Sequence, residues 1–139
     1  MITDTIKPNL AIVTDVTHDT TTPLHMNVKR HGEIKCGDGP VVSYAPSIHN
    51  TLRDHTIDIA VDKKIPFQRQ ANSRWTGTDT DAFAFSNGGI PSTLISLPLK
   101  YMHTTVESVH KDDVQHTIDL IYYTLLTLDF TEDYKYIKL

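Results

Sequence analysis

The side chains with the clearest potential for chemistry are an aspartate and a histidine that follow apolar runs. Asp15 lies near the end of the β-branched run NLAIVTDV, which begins at Asn9. His103 lies a few residues after a second run, IPSTLISLP, over residues 90–98. Carboxylate oxygens and imidazole nitrogens are common ligands of zinc and similar ions. A loop histidine is more often a hydrogen-bonding residue than a ligand, so this pair needs support from the rest of the chain.

The predicted strands would bring these two side chains together. The apolar runs predict buried strands over residues 9–16 and 90–98, and Asp15 would close the first of them. Shorter strand-like pieces occupy residues 32–46 and 65–70. In open α/β sheets, ligands bind at the carboxyl ends of the strands. The sequence therefore predicts that Asp15 and His103 meet at one edge of a sheet, in a divalent-ion pocket.

Helical spacing predicts the elements that cover the sheet. A helix is expected over residues 47–64, with Ser47 as its N-cap, and a shorter one over residues 80–87. A last helix begins near Asp112 and Asp113, and its predicted core stripe consists of Val114, Ile118, Ile121, Leu125 and Leu128. Strands that alternate with helices are typical of a single three-layer α/β domain with a mostly parallel or mixed sheet.

Composition excludes several classes of function. The 13 basic residues are scattered and the net charge is −4, so the chain lacks the basic surface that binds nucleic acid. No apolar run approaches the roughly 18 residues of a membrane span, and the first residues do not form a signal peptide. Cys36 is the only cysteine, which excludes an internal disulfide and fits a cytoplasmic protein. Its surroundings predict a structural role for the thiol, since nothing nearby would lower its pKa.

Several separate motifs resemble one family of enzymes. AIVTDVTHDTTTP, GDGPVVSYAPSIHN, KKIPFQRQ and TGTDTDAFAFSNGGIPSTLISLPLKYMHTTVESVHKDDV resemble, in this order, the C-terminal part of the dinuclear metalloaminopeptidases. These include the TET particles and the cellulase-M-like, or glutamyl aminopeptidase, proteins. The resemblance covers residues 6–128. It implies a partial catalytic domain with a zinc-exopeptidase-like fold, in which a metal-activated water hydrolyses N-terminal residues from peptides.

The resemblance carries functional roles to a few positions. Asp15 matches the aspartate that binds one of the family's two metal ions, and His103 matches the histidine that binds the other. Gly77, Thr78 and Asp79 match a loop that borders the substrate pocket. The implied ions are zinc first, with cobalt or manganese as alternatives. Glu107 has the position of a residue that supports the metal histidine or the local structure.

The chain also departs from the family pattern. Full-length members carry an N-terminal part with a metal histidine, a bridging aspartate and two adjacent glutamates, one of which is the general base. The glutamates of this chain are Glu33, Glu107 and Glu132, and no two of them are adjacent. We therefore expect no catalytic base in residues 1–139, a partial metal site at most, and little or no activity from this chain in isolation.

Two functions remain open from the sequence. The first is the C-terminal portion of a metal-dependent aminopeptidase that acts on peptides together with the missing N-terminal part or a partner chain. The alternative is a non-catalytic α/β module that binds peptides or partner subunits, with apolar surface exposed where the missing part would pack. A homo-oligomer is compatible with both.

Overall fold

The computed structural model describes residues 2–23, 32–129, 131 and 134. A short helix, α1 (Ile2–Ile6), precedes strand β1 (Ala11–His18). Strand β2 (Val41–Tyr44), helix α2 (Asn50–Asp62) and strand β3 (Gln68–Ala71) form the middle of the chain. The last elements are α3 (Asp79–Ala84), β4 (Ser92–Lys100), β5 (Ser108–Val109) and α4 (Lys111–Thr127).

The strands form one mixed sheet in the order β1-β4-β2-β3. β1 and β4 are parallel and in register from Ala11 opposite Ser92 to His18 opposite Leu99. β2 and β3 are also parallel to each other, but β2 runs antiparallel to β4. Consequently the carboxyl ends of β2 and β3 lie on the same side of the sheet as the amino ends of β1 and β4. The short β5 pairs antiparallel with the end of β4.

Helices cover both faces of this sheet, so the predicted three-layer α/β fold is confirmed. On one face, α2 and α4 bury a core that contains Val42, Ile95 and Leu120. On the other face, Val13 and Leu94 pack against Phe83 of α3. Residues alternate between the two faces along each strand. In the described residues, no helix is both long and apolar enough to cross a membrane.

The long first strand differs from its prediction. The apolar pattern predicted an end at Val16, but backbone pairing with β4 continues to His18. Asp15 therefore lies inside β1, and the expectation that it closes the strand is wrong. Hydrogen bonds between backbones extend a strand regardless of side-chain polarity, so the end of an apolar run does not mark the end of pairing.

The helices confirm the predicted positions but correct two details. His49, rather than Ser47, is the N-cap of α2, and its side chain accepts a hydrogen bond from the Leu52 amide. The predicted core stripe of α4 is wrong for three of its members, because Val114, Ile118 and Leu125 are exposed. The residues that α4 buries are Asp113, Thr117, Leu120 and Thr124.

Some expectations fall on residues outside the described part. The Thr-rich connection after β1 was predicted to run to about His31, and of it the structure describes residues only as far as Pro23. The C-terminal segment from residue 130 onward, predicted as an edge strand or a frayed tail, is described only at Thr131 and Tyr134.

Candidate metal and substrate site

Asp15 lies on a half-buried position of β1, opposite Ser96 of β4. One carboxylate oxygen, Oδ1, accepts a hydrogen bond of 2.8 Å from the Val16 amide. Strand alternation places the side chain on the same face as Val13 and Thr17. The second carboxylate oxygen has no hydrogen bond of its own among those that join the described residues, so the geometry leaves it available to a ligand.

His103 lies in the exposed turn that connects β4 to β5. Its φ angle is +65°, and that of Tyr101 is +55°, so the turn holds two non-glycine residues in the left-handed region. The carboxylate of Glu107 accepts a hydrogen bond from the His103 amide and supports this backbone. The predicted role of Glu107 was to support the metal histidine or the local structure, and this contact to the backbone agrees with the second alternative. The imidazole is left exposed at the tip of the turn.

The register of β1 and β4 places Asp15 and His103 at different positions along the strand direction. Asp15 is three residues before the end of β1, which corresponds to about 10 Å along the strand. His103 lies beyond Leu99, the residue that pairs with the last residue of β1. Both residues therefore lie toward the carboxyl ends of the parallel strands β1 and β4. Across the part of the chain that the structure describes, no group of three or more His, Cys, Asp or Glu side chains could hold a metal ion.

The sheet face that carries Asp15 has further polar groups. Gln70 of β3 exchanges hydrogen bonds of 3.0–3.1 Å with the hydroxyl of Thr17. Sequence reasoning assigned no role to Gln70, because β3 and β1 are not neighbours in the sheet. Its side chain adds a neutral donor and acceptor to the neighbourhood of Asp15.

The predicted substrate loop and His103 lie at opposite ends of the strands of the sheet. Gly77, Thr78 and Asp79 follow β3, which ends where β4 begins. Thr78 is the N-cap of α3, and its hydroxyl accepts a hydrogen bond from the Thr80 amide. Gly77 has φ +75°, and a Cβ added there would meet no atom within 4 Å. Within this chain, the structure does not bring the loop and His103 together.

Asp81 holds the shape of this loop. Its carboxylate accepts hydrogen bonds from the Ser47 hydroxyl at 2.7 Å and from the amides of Thr76 and Gly77 at 2.9 Å. Burial by itself would raise the pKa of Asp81, but these hydrogen bonds favour the carboxylate and lower the pKa below its ordinary value. These contacts give Asp81 a structural role in the loop that precedes α3.

A second carboxylate network lies below the His103 turn. Asp113 is fully buried at the start of α4 and accepts hydrogen bonds from the amides of Gly37 at 2.7 Å and Gly39 at 2.8 Å. Asp19 accepts one from the Cys36 amide at 2.9 Å. Burial raises the pKa of the Cys36 thiol to about 11, and the neighbouring Asp19 carboxylate adds to this shift. The thiolate is therefore disfavoured near neutral pH, which agrees with the structural role that the sequence context predicted.

An open groove lies beside the Gly77 loop. It has a volume of about 390 Å³ and is lined by Ser47, Arg74, Trp75 and Phe85, among others. The indole of Trp75 and the ring of Phe85 are exposed and lie 5.7 Å apart between their centres. Two exposed aromatic rings beside an arginine provide a surface on which an extended polypeptide could pack.

Comparison with known proteins agrees with this fold and with these motifs. Residues 1–120 match the family described as M42 glutamyl aminopeptidase. The lysyl aminopeptidase of Pyrococcus furiosus is 33% identical over 129 residues, which cover 91% of this chain and 36% of that protein. A putative aminopeptidase of Acetivibrio thermocellus is 32% identical over 119 residues, 84% of this chain and 34% of its own length. The chain thus spans about a third of the curated relatives that it matches.

Solved structures give the same result. An aminopeptidase of the archaeon Desulfurococcus kamchatkensis superposes with a TM-score of 0.81 at 25% identity, over 99% of this chain and 39% of that one. The TET aminopeptidase of a marine-sediment thaumarchaeon superposes with a TM-score of 0.80 at 26% identity, over 94% of this chain and 36% of its own. Sequence motifs, family match and fold agree, and the chain belongs to the M42 glutamyl aminopeptidase family.

Proposed function

We propose that residues 1–139 form the C-terminal portion of the catalytic domain of a metal-dependent aminopeptidase, which hydrolyses N-terminal residues from peptides. The observation that carries this proposal is the match of nearly the whole chain, in sequence and in fold, to a part of proteins that are named aminopeptidases. Hydrolysis would then require the remaining part of the catalytic domain, either as a longer chain or as a partner.

The metal ligands in this proposal are Asp15 and His103. M42 peptidases are metal-dependent in general, and this chain offers an oxygen and a nitrogen donor of the type that zinc, cobalt and manganese accept. Paired ions in hydrolases lie about 3.5–4 Å apart, and the family resemblance assigns Asp15 to one ion and His103 to the other. When bound, such ions lower the pKa of water and supply the nucleophile.

The residues of this chain would bind and orient rather than transfer protons. Asp15 has a free carboxylate oxygen beside its bond to the Val16 amide, and His103 presents its ring from a turn that Glu107 supports. None of the glutamates has the adjacent partner that the family resemblance requires for a general base. We therefore propose that this chain in isolation is inactive or nearly so and that it holds zinc loosely.

The role of Gly77, Thr78 and Asp79 in substrate binding remains a proposal from the resemblance. Their loop lies beside the aromatic groove rather than beside His103. A peptide that contacts both places would have to extend across the sheet, or the loop would serve another protomer. Homo-oligomers suit the second arrangement, and a related TET1 peptidase of Pyrococcus horikoshii assembles into a tetrahedron or an octahedral shell.

Metal content and hydrolysis measured on the same samples test this proposal. The purified chain is loaded with zinc, and zinc content is measured after dialysis for the wild type, Asp15→Ala and His103→Ala. Asp58→Ala and His55→Ala are matched controls that remove the same side chains from α2, far along the chain from the proposed ligands. We expect weak zinc binding that falls in the first two variants and not in the controls.

Hydrolysis of aminoacyl substrates is then measured with and without a chelator. We expect no release of amino acids from the chain by itself. Chelator-sensitive release would contradict the proposed inactivity. Zinc binding that survives both Asp15→Ala and His103→Ala would contradict the ligand assignment.

A non-catalytic peptide-binding module is the second candidate. The exposed groove of Trp75 and Phe85 favours it, since aromatic surface of this kind is suited to an extended peptide. Peptide binding that is lost in Trp75→Ala, combined with unchanged zinc content in the Asp15 and His103 variants, would favour this candidate over the enzyme.

A further inference from the structure

An asparagine and a glycine stand side by side in the loop that joins α3 to β4. Asn87 and Gly88 are the only such pair in the sequence, since the other asparagines precede Leu10, Val28, Thr51 and Ser73. Both members of the pair are exposed. Because glycine has no Cβ, the backbone nitrogen that follows Asn87 has little steric protection, and this nitrogen is a potential nucleophile toward the Asn87 side chain.

The loop leaves this nitrogen accessible. In the described part of the chain, the Gly88 amide donates no hydrogen bond to another backbone group, whereas the next amide, that of Gly89, donates to the Ser86 carbonyl at 2.9 Å. Asn87 has φ +50° and Gly88 has φ +81°, so both lie in the left-handed region that disfavours an ordinary side chain. A Cβ added to Gly88 would meet no atom within 4 Å. The nucleophile therefore has no backbone hydrogen bond to break, and the loop has space in which to rearrange.

The side-chain amide of Asn87 connects this loop to α1. Its Nδ2 donates a hydrogen bond of 2.7 Å to the carbonyl oxygen of Thr3, 84 residues earlier in the chain. The same oxygen accepts the Lys7 amide at 2.9 Å. Thr3 is buried, and together with Phe83 of α3 it lines an apolar cleft of about 180 Å³. Loss of the Asn87 amide would remove a contact that holds α1 against the loop after α3.

We propose that Asn87 is a site of spontaneous deamidation and that this modification loosens α1. The Gly88 nitrogen gives up its proton to a base in solution and bonds to Cγ of Asn87, the bond from Cγ to Nδ2 breaks, and ammonia leaves. The succinimide ring that forms then takes up one water molecule and opens to aspartate or isoaspartate. The inference goes beyond the proposed function, because the reaction needs neither a metal ion nor a peptide substrate.

The product cannot maintain the contact with α1. A carboxylate oxygen does not donate a hydrogen bond, and it repels the carbonyl oxygen of Thr3 that the amide had bound. Where the ring opens to isoaspartate, the main chain also gains a methylene group between residues 87 and 88, which displaces the loop. The Thr3 carbonyl then keeps the bond from Lys7 within α1 but loses the one that joins it to the loop.

Peptide mass spectrometry on the purified chain, aged at mildly alkaline pH, measures conversion at each asparagine. We expect conversion at Asn87 to be at least roughly 10-fold faster than at Asn50 and Asn72, because Thr51 and Ser73 each carry a Cβ that shields the backbone nitrogen. These two asparagines are internal controls within the same molecule. Conversion at Asn87 that is no faster than theirs would overturn the assignment.

Two glycine variants test which nitrogen attacks. Gly88→Ala should slow conversion at Asn87 by roughly 10-fold, because the new Cβ shields the nucleophile. Gly89→Ala is the matched control, since Gly89 also has a positive φ, +96°, but does not supply the attacking nitrogen. Both variants are compared with wild type by circular dichroism. Equal slowing in the two variants would contradict attack by Gly88.

Hydrogen exchange tests the effect on α1. Asn87→Asp carries the product side chain from the start, and its Lys7 amide should exchange roughly fivefold faster than in wild type, because one hydrogen bond that holds α1 is lost. Asn72→Asp is the control, since it adds the same charge to the loop after β3. Aged wild type should show faster exchange in proportion to its converted fraction. Unchanged exchange in Asn87→Asp, or an equal increase in Asn72→Asp, would overturn the link between this modification and α1.

Discussion

Removal of the Asp113 carboxylate should destabilise the protein far more than removal of its neighbour Asp112. Asp113 is fully buried and joins the turn of Gly37 and Gly39 to the start of α4. In Asp113→Ala the Gly39 amide stays buried without an acceptor, which costs about 1–3 kcal/mol. The exposed Gly37 amide can turn to water, so its loss is smaller, about 1 kcal/mol. We expect a total loss of about 2–4 kcal/mol in the free energy of unfolding.

Asp112 is the matched control because it occupies the same helix turn with an exposed side chain. Its interaction with the helix dipole contributes roughly 0.3–1 kcal/mol, and Asp113 has this contribution too. Guanidinium chloride unfolding, followed by circular dichroism, measures the difference between the two variants. Asp113→Asn should fall between wild type and Asp113→Ala, since its amide keeps one acceptor oxygen. Equal unfolding free energies for Asp112→Ala and Asp113→Ala, within about 0.5 kcal/mol, would refute this account of the turn.

Three further predictions concern individual residues. Gly39→Ala should lower the free energy of unfolding by roughly 3 kcal/mol or more, because its Cβ would lie 2.1 Å from the Pro66 carbonyl oxygen. Gly77→Ala is the control: its Cβ meets open space, so only about 1–2 kcal/mol of backbone strain is expected, and thermal or chemical unfolding measures both variants. The pKa of Asp81 is lower in the folded than in the unfolded state, so its stabilisation is complete above its ordinary pKa and is lost as pH falls through the folded value. The difference in unfolding free energy between wild type and Asp81→Asn should therefore shrink as the pH falls below about 5, and a difference independent of pH would contradict this. Alkylation of the Cys36 thiol at pH 8 should be roughly 100-fold slower than that of an exposed cysteine, because partial burial raises its pKa to about 11. A rate equal to that of a free thiol would contradict this account of its surroundings.

The prediction of the fold succeeded where a local pattern was enough. The apolar runs identified β1 and β4, and the helical spacing identified α2 and α4 within a few residues at each end. The ends themselves were less predictable. His49 caps α2, whereas the Ser47 hydroxyl donates a hydrogen bond to Asp81, 34 residues further along the chain, and no local pattern shows such a contact.

The candidate site was predictable to a smaller extent. The residues that could bind metal follow from their types and from the family motifs, and they remain predictions. Gln70 was not predicted, because its contact with Thr17 joins strands that are not neighbours in the sheet. The direction of β3 was not predicted either, since alternation along a strand is the same in both directions. That direction is what separates the Gly77 loop from His103.

The sequence by itself determined the layered α/β class, the family motifs and the two candidate ligands, because these depend on residue types and on short-range periodicity. Only the tertiary structure decided which flank of α4 is buried, which way β2 and β3 run, and where Asp15 lies along β1. Periodicity identifies the residues that share a face of an element. Which face is covered depends on contacts between distant segments, and these exist only in the folded chain.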